Sequence, residues 1–465
     1  MDFRDGLYNH WGWVLVVSSF IITIPLHGIE YSYNSLMVWF QDEFQASKSE
    51  TGLAGTIAIG LLSLSSPLSF FLLEFVSTRT VILLGVAMCS TGLFASSFVP
   101  SLPYLYFTYG VLYGIGSNFT HVPALALIIK YFPKKHTVSS TCIAQLGASI
   151  GVIALPSIVE TLFGQLGWRM SMRIFAGVML LTGTLGIVFV PPTVVEERRQ
   201  SKAMEALKDC EKSKEAMLEK QGLELIQLDL PQKSFVRRYI DFMSQMKFWV
   251  TELLFFVMAL GVTMSLTNIG SFLSETSLSE DKQVLVLSVM GIGDLVARVF
   301  VSAAVERLPF SRTTYFSIAC LIAGVPFFFL VVASDSVVLL ISLLLLINFG
   351  RGSLFGMIVS VGVEVFGAEN SDESTTSVFF AFGLGGLFAA PVGGAISDAT
   401  GSYVATFYFC GSLCILAFII ATVLAKMRRN AKSKLYEGST ESPIVYTFPG
   451  ISSGPEVYET YITTV

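Results

Sequence analysis

Twelve stretches of this chain are each apolar for about twenty residues or more, the length an α-helix needs to cross the hydrocarbon of a bilayer. They lie near residues 12–40, 52–73, 80–99, 103–130, 138–163 and 171–190, then near 248–273, 283–305, 313–333, 337–366, 375–396 and 403–425. No soluble arrangement can hide so many long apolar faces. With 53% hydrophobic residues and only 14% charged, against roughly 25% charged in soluble chains, composition leads to the same class. In lipid every backbone polar group needs an internal partner, so runs of this length and sequence predict helices. The fold class expected is therefore an all-α membrane protein of twelve transmembrane helices in two six-helix halves.

The domain boundaries follow from where the apolar runs stop. Residues 1–190 form an N-terminal six-helix half and 248–425 a C-terminal one. Between them, residues 191–247 open "PPTVVEERRQSKAMEALKDCEKSKEAMLEK", whose interleaved Glu and Lys read as a solvated, partly helical linker. Residues 426–465 form a polar tail beginning "KMRRNAKSK". The first apolar run is too long and aromatic, and too poor in preceding basic residues, for a cleaved signal peptide. The six cysteines form no CxxC pair, and five sit in apolar runs, where a free thiol acts as a small hydrophobe.

Lys and Arg in short loops orient a polytopic chain. Arg79, the Lys130–Lys134–Lys135 cluster, the linker, Arg307 with Arg312, and the tail all fall on one side of the twelve-helix path. The opposite loops, "QDEFQASKSE", "SETSLSED" and "SDS", are acidic or neutral, with Arg169 and Arg173 as the exception. Both termini and the linker are expected to be cytoplasmic, in the plasma membrane. The sequon at Asn118 lies inside the fourth apolar run and is discounted.

The halves echo one another. "ASIGVIALP" (148–156) in the fifth run and "GLGGLFAAP" (383–391) in the eleventh share small residues followed by proline. Small residues at this spacing suit close helix contact and argue for packing before binding. Parallel six-helix repeats around a midplane cavity are the plan of the major facilitator transporters.

Several motifs resemble the monocarboxylate transporter family. "DGLYNHWGWVLV" (5–16) is similar to its acidic–Gly…Trp-Gly-Trp opening, and "PALALIIKYFPKKHTVSSTCIAQLGASIG" (123–151) to its fourth-helix end, basic loop and small-residue fifth helix. "GWR" (167–169) resembles the entry to the sixth helix, and "GDLVAR" (293–298) the Asp-x-x-x-Arg of the eighth. The resemblance spans residues 5–425. It implies the major facilitator fold and alternating-access transport, not an enzyme, with a small monocarboxylate such as lactate or pyruvate moved with a proton. It also leaves room for a single-pass ancillary subunit. There are departures: the fifth helix carries Ser, Thr and Gln where the family has Gly and Ala, and Arg351 replaces an apolar or small residue. Asn34 stands where lactate-carrying members have lysine; members that move aromatic amino acids or iodothyronines have an uncharged residue there.

Ionisable side chains at bilayer depth cost about 2.5–3.5 kcal/mol on insertion scales, so they face a partner or a watery cavity. Asp294 and Arg298 are four apart on one helix face and can pair. The bland reading is a structural ion pair; the functional one makes Asp294 the proton-coupling group and Arg298 the bidentate anchor of a carboxylate. Arg351, between Gly350 and Gly352 in the tenth run, is either a structurally paired arginine or a second anchor replacing the charge absent at Asn34. In the first run His27 and Glu30 sit beside Pro25 and Gly28, a pattern that permits local unwinding, and His121 occupies the matching depth of the fourth. These three are candidate pathway residues, with Glu30 first, and Asp294 second, as the acid expected to neutralise Arg351.

Glu252 and Glu364 lie near helix ends and receive no role. No cofactor, metal cluster or nucleic-acid patch is indicated. The C-terminal Thr463-Thr464-Val465 fits a peptide that adds a strand to a PDZ domain. Three functions compete: proton-coupled monocarboxylate transport; facilitated transport of larger carboxylates such as aromatic amino acids or iodothyronines; and a non-transporting scaffold or sensor. Buried charges, which a scaffold does not need, weigh against the third. The topology is testable: epitopes inserted near Lys214 and Ser439 should both be hidden in intact cells and stain after permeabilisation, and surface labelling of either would overturn the path.

Overall fold

In the computed structural model, which describes residues 3–133, 136–192, 235–276, 278–330 and 336–438, the chain is a bundle of long helices. Among the described residues ten helices are long and apolar enough to cross a membrane, eleven if one pair bent by 42° counts as a single span. The segment in the eighth position, Glu280–Ala304, is a 25-residue α-helix that carries Asp294 and Arg298 and is counted beside that set. Taken with it, the path has twelve crossings in two halves, the expected all-α architecture. Most of the linker (193–234) and of the tail (439–465, with the PDZ-type terminus) lies outside the described residues. The last helix runs Tyr403–Gly438, well past residue 425, so the basic start of the tail is a continuation of the twelfth span.

The first two spans are broken, and neighbouring side chains complete their backbones. The first is Phe3–Tyr31 followed by Tyr33–Phe44, with the break at Ser32. Pro25 and Gly28, expected to unwind it, stay inside regular helix. Gly28 is instead used for contact: a Cβ there would stand 2.6 Å from Leu155 and 3.1 Å from the Cα of Gly151. Carbonyls near the break are taken by the fourth span, whose π-helical turn Tyr106–Tyr113 aims two stacked tyrosines at it. Tyr113 donates to Leu26 O at 2.5 Å and Tyr109 to Ile29 O at 3.3 Å. The second span is bent between Lys48–Leu64 and Ser66–Leu73. Pro67 has no N–H for the carbonyl of Ser63, and the Ser66 hydroxyl supplies the bond at 2.7 Å. Asn118, the discounted sequon residue, is fully buried and donates to Leu62 O at 2.5 Å.

The repeat read in the sequence becomes a repeat of packing. In the N-terminal half the fifth span (Thr137–Leu166) lies against the first; in the C-terminal half the eleventh (Ser371–Thr400) lies against the seventh (Met246–Ser274). The small residues make both contacts close. A Cβ on Gly151 would run into Ile24 O, and one on Gly385 into Phe256 O. The exceptional Arg169 and Arg173 are also explained. Arg169 pairs with Glu43 at 2.9 Å, donates to Ser97 O and Val99 O, and stacks on Trp168; Arg173 donates to Ser97 Oγ and lies over Phe98. That hydrogen bond from Arg169 holds the Glu43 carboxyl below the usual range. These arginines tie the connection between the fifth and sixth spans to its neighbours.

The two halves are bonded along one end, the one carrying Lys130, Arg307 and Arg312. Lys130 pairs with Asp372 at 2.6 Å, and Ser139 donates to Ser302 O at 2.6 Å. Thr141 meets Ser360 at 3.1 Å and Cys142 donates to Gly356 O at 2.9 Å. Helix five begins at His136, in left-handed conformation and without a cap of its own; Glu306, from the other half, accepts from Val138 N at 2.9 Å and Ser139 N at 3.4 Å. Among the described residues such bonds run from this end to the level of Asp294 and stop. The bundle is closed at its basic end.

The packing account makes a prediction. Gly151→Val should cost about 1–3 kcal/mol by overpacking, read as a lower melting temperature and poorer monodisperse yield. Gly164→Ala, a helical site with nothing within 4 Å of the added Cβ, should be neutral or mildly stabilising.

Candidate functional site

Three helices converge on one carboxylate. Asp294, on the eighth segment, has its Oδ2 bonded to Arg298 Nε at 3.0 Å, one turn along the same helix, and to Ser149 Oγ on the fifth span at 2.7 Å. Its Oδ1 lies 3.4 Å from Arg351 Nη2 on the tenth span (Val337–Phe366), an ion-pair distance without hydrogen-bond geometry. Arg298 also donates to Gln145 O at 3.4 Å, and Arg351 Nε to Asn348 Oδ1 at 3.0 Å. Phe355, one turn beyond Arg351, stands beside both cations, its ring centroid 5.6 Å from one guanidinium carbon and 6.0 Å from the other. Phe382 of the eleventh span meets Phe355 at 5.1 Å.

Glycine sets the spacing. A Cβ on Gly352 would stand 2.5 Å from Asp294 O, and one on Gly293 would stand 2.9 Å from Leu345 O. Only without those side chains can the eighth and tenth helices come close enough for Arg351 to reach Asp294. Gly350 serves a different contact, lying against Ala323 of the ninth span.

The side-chain accessibility of Asp294 is 6%, that of Arg298 7% and that of Arg351 15%. Ion pairs this buried are held by mutual attraction against the loss of water, and removing one member leaves an unmatched charge that costs about 3–5 kcal/mol. Two guanidinium groups share one carboxylate, so the cluster has an excess of positive charge. Arginine forks match the two oxygens of a carboxylate and never deprotonate, which gives the cluster the chemistry of an anion receptor.

The other candidates form a second group nearby. His27 Nδ1 is 3.2 Å from Glu30 Oε2, and the His27 and His121 rings meet edge to face at 4.6 Å. His121 in turn stands edge-on to Phe379 of the eleventh span at 5.7 Å. All three are buried, and among the described residues His121 Nδ1 has no hydrogen-bond partner. The expected pairing of Glu30 with Arg351 is not found. Glu30 turns to His27 one turn earlier on its own helix, and Arg351 takes the second-ranked acid, Asp294. The side chain of Asn34 lies outside the described residues, although its backbone is in the first turn of the helix that follows the Ser32 break.

Sequence reasoning missed Ser149, Asn348 and Phe355. The last two were findable, standing three before and four after Arg351 on one helix face; Ser149 comes from another helix and gave no local signal. Glu364, given no role, caps the ninth helix by accepting from Thr313 N at 2.8 Å and holds Arg428 at 2.7 Å.

A twelve-crossing helical bundle in two similar halves, with a buried arginine–aspartate cluster, has the plan of a polytopic membrane carrier. The Major Facilitator Superfamily profile matches residues 19–390 and 253–451. The chain belongs to that superfamily, and the curated relatives it resembles are named as monocarboxylate transporters, which are transporters and not enzymes. Monocarboxylate transporter 12 of Xenopus laevis is 25% identical over 450 residues, 95% of either chain. Monocarboxylate transporter 1 of Rattus norvegicus is 27% identical over 417 residues, 88% of this chain and 83% of its own. Among solved structures the transporter FucP, in its outward conformation, superposes with a TM-score of 0.65 over 90% of this chain and 98% of its own, at 16% identity, a likeness of fold alone.

The cluster makes a graded prediction. A charge-assisted hydrogen bond contributes about 1.5–3 kcal/mol, so if Arg351 binds the transported anion, Arg351→Gln should weaken uptake affinity about 10–100-fold. Arg351→Lys, which keeps the charge and loses the fork, should weaken it less. Equal loss in both, with normal surface expression, would remove the charge from the account.

Proposed function

We propose that this protein carries small monocarboxylates, of the lactate and pyruvate kind, across the plasma membrane together with a proton by alternating access. The observation that supports this most is the carboxylate of Asp294 held between two arginines. A proton on Asp294 removes the counter-charge of Arg298 and Arg351 at one stroke, and the substrate carboxylate takes its place. A proton alone would raise the cluster from one excess positive charge to two, whereas proton and anion together leave its net charge unchanged. Oδ1 of Asp294, buried without a hydrogen bond, is the oxygen free to receive the proton. His27, Glu30 and His121 line the adjoining pathway, and Asn34 belongs to its first-helix wall. With the basic end cytoplasmic, along with both termini, the bonded arrangement faces outward. The PDZ-type terminus and a single-pass ancillary subunit complete the proposed partners.

A second reading is facilitated transport of larger carboxylates such as aromatic amino acids or iodothyronines. Phe355 beside the arginines, with Phe382 packed against it, favours it, as does an uncharged Asn34.

Uptake of labelled lactate, pyruvate, tryptophan and an iodothyronine into proteoliposomes, with and without an inward proton gradient, separates the two. Under the first reading, lactate or pyruvate accumulates only with the gradient, and Asp294→Asn abolishes accumulation while the protein still reaches the surface. Uptake indifferent to pH between about 6 and 8, a range in which a coupled carrier senses its proton supply, would transfer the assignment to the second.

A further inference from the structure

At the basic end, away from the arginine–aspartate cluster, a cavity of about 510 Å³ opens between the halves. His136 and Val138 line it from the N-terminal half; Arg307, Phe310, Arg312 and Glu364 line it from the other. Its two carboxylates are already engaged. Glu306 accepts the first N–H groups of helix five and lies 3.5 Å from His136 Nδ1. Glu364 accepts from the backbone of Arg312 and Thr313, from the Thr313 hydroxyl and from Arg428.

Two of its cations are not engaged. Arg307 is exposed and Arg312 half-buried, and among the described residues neither guanidinium has a hydrogen bond or ion pair. Glu364, Glu306 and Arg428 are the charges within reach of Arg312. Counting Arg307 as well, three guanidinium groups face two carboxylates, an excess of one positive charge before His136 is considered. Binding the Arg312 N–H to Glu364 fixes the root of that side chain while leaving its fork over the cavity. Leu308 and Phe310, the latter 53% exposed, add an apolar wall.

We propose that this cavity binds a phosphate-bearing anion between Arg307 and Arg312, in a site complete only while the basic end is closed. Two forks offer more donors than one carboxylate can accept, and guanidinium groups match phosphate oxygens pairwise. Because the walls come from both halves, separation at this end takes the site apart. By linkage, the bound anion stabilises the closed arrangement. The source is either a phosphate-bearing solute or the headgroup of an anionic phospholipid, whose tails would lie along Phe310. The inference does not rest on the transport reading.

Thermal unfolding of the purified full chain tests it. One arm adds inorganic phosphate against chloride of matched ionic strength. The other compares nanodiscs of phosphatidylcholine with nanodiscs also containing phosphatidylserine. At least one probe should raise the melting temperature by about 2–4 °C. Phosphate acting alone identifies a solute site, and phosphatidylserine acting alone a lipid site. Arg307→Gln/Arg312→Gln should abolish the rise and Arg312→Lys retain part of it. If the double variant is not recovered folded, Arg307→Gln, an exposed change, should by itself lower the rise by about half. No rise with either probe, or an undiminished rise in these variants, overturns the proposal.

Discussion

The carboxylate of Asp294 is the point on which the membrane interior of this protein turns. It is bonded to its own helix through Arg298, to the N-terminal half through Ser149, and to the tenth helix through Arg351. Charges this far from water persist only when matched, and here two cations depend on one anion. The arrangement holds two halves together while it is intact and lacks enough negative charge to be fully balanced. The first property defines a closed state, and the second leaves a buried excess of positive charge.

The rest of the interior makes that meeting geometrically feasible. Apolar helices in lipid gain little from further hydrophobic burial, so close approach and internal hydrogen bonds hold them. Gly151, Gly352 and Gly385 permit the approach. Asn118, Tyr109 and Tyr113 supply bonds where broken helices expose carbonyls. The same economy operates at the basic end, where Glu306 from one half caps a helix of the other and is available to do so only while the halves meet.

Membrane class, twelve crossings, two halves, and the pairing of Asp294 with Arg298 were all legible in order along the chain. Each depends on local properties: the length of an apolar run, a composition break, a four-residue spacing on one helix. The two arginines that break the charge rule were legible only as an anomaly. Their partners, Glu43, Ser97 and Val99, come from segments far away in sequence.

Pairings between helices followed a different logic. From sequence Glu30 was the first acid to offer Arg351, since both stand at mid-depth in helices that line the cavity in this architecture. The fold gave Arg351 to Asp294, because Gly293 and Gly352 bring the eighth and tenth helices together and His27 lies within reach of Glu30 on its own helix. Gly28 looked like a point of unwinding and became a point of contact for the same kind of reason: a missing Cβ permits either, and only the neighbouring helix decides. The sequence by itself determined which residues must leave water and which of them could not remain alone there. Which partner each one met was decided by the tertiary structure, since a buried charge takes the nearest complementary group in space and sequence spacing measures that distance only within one helix.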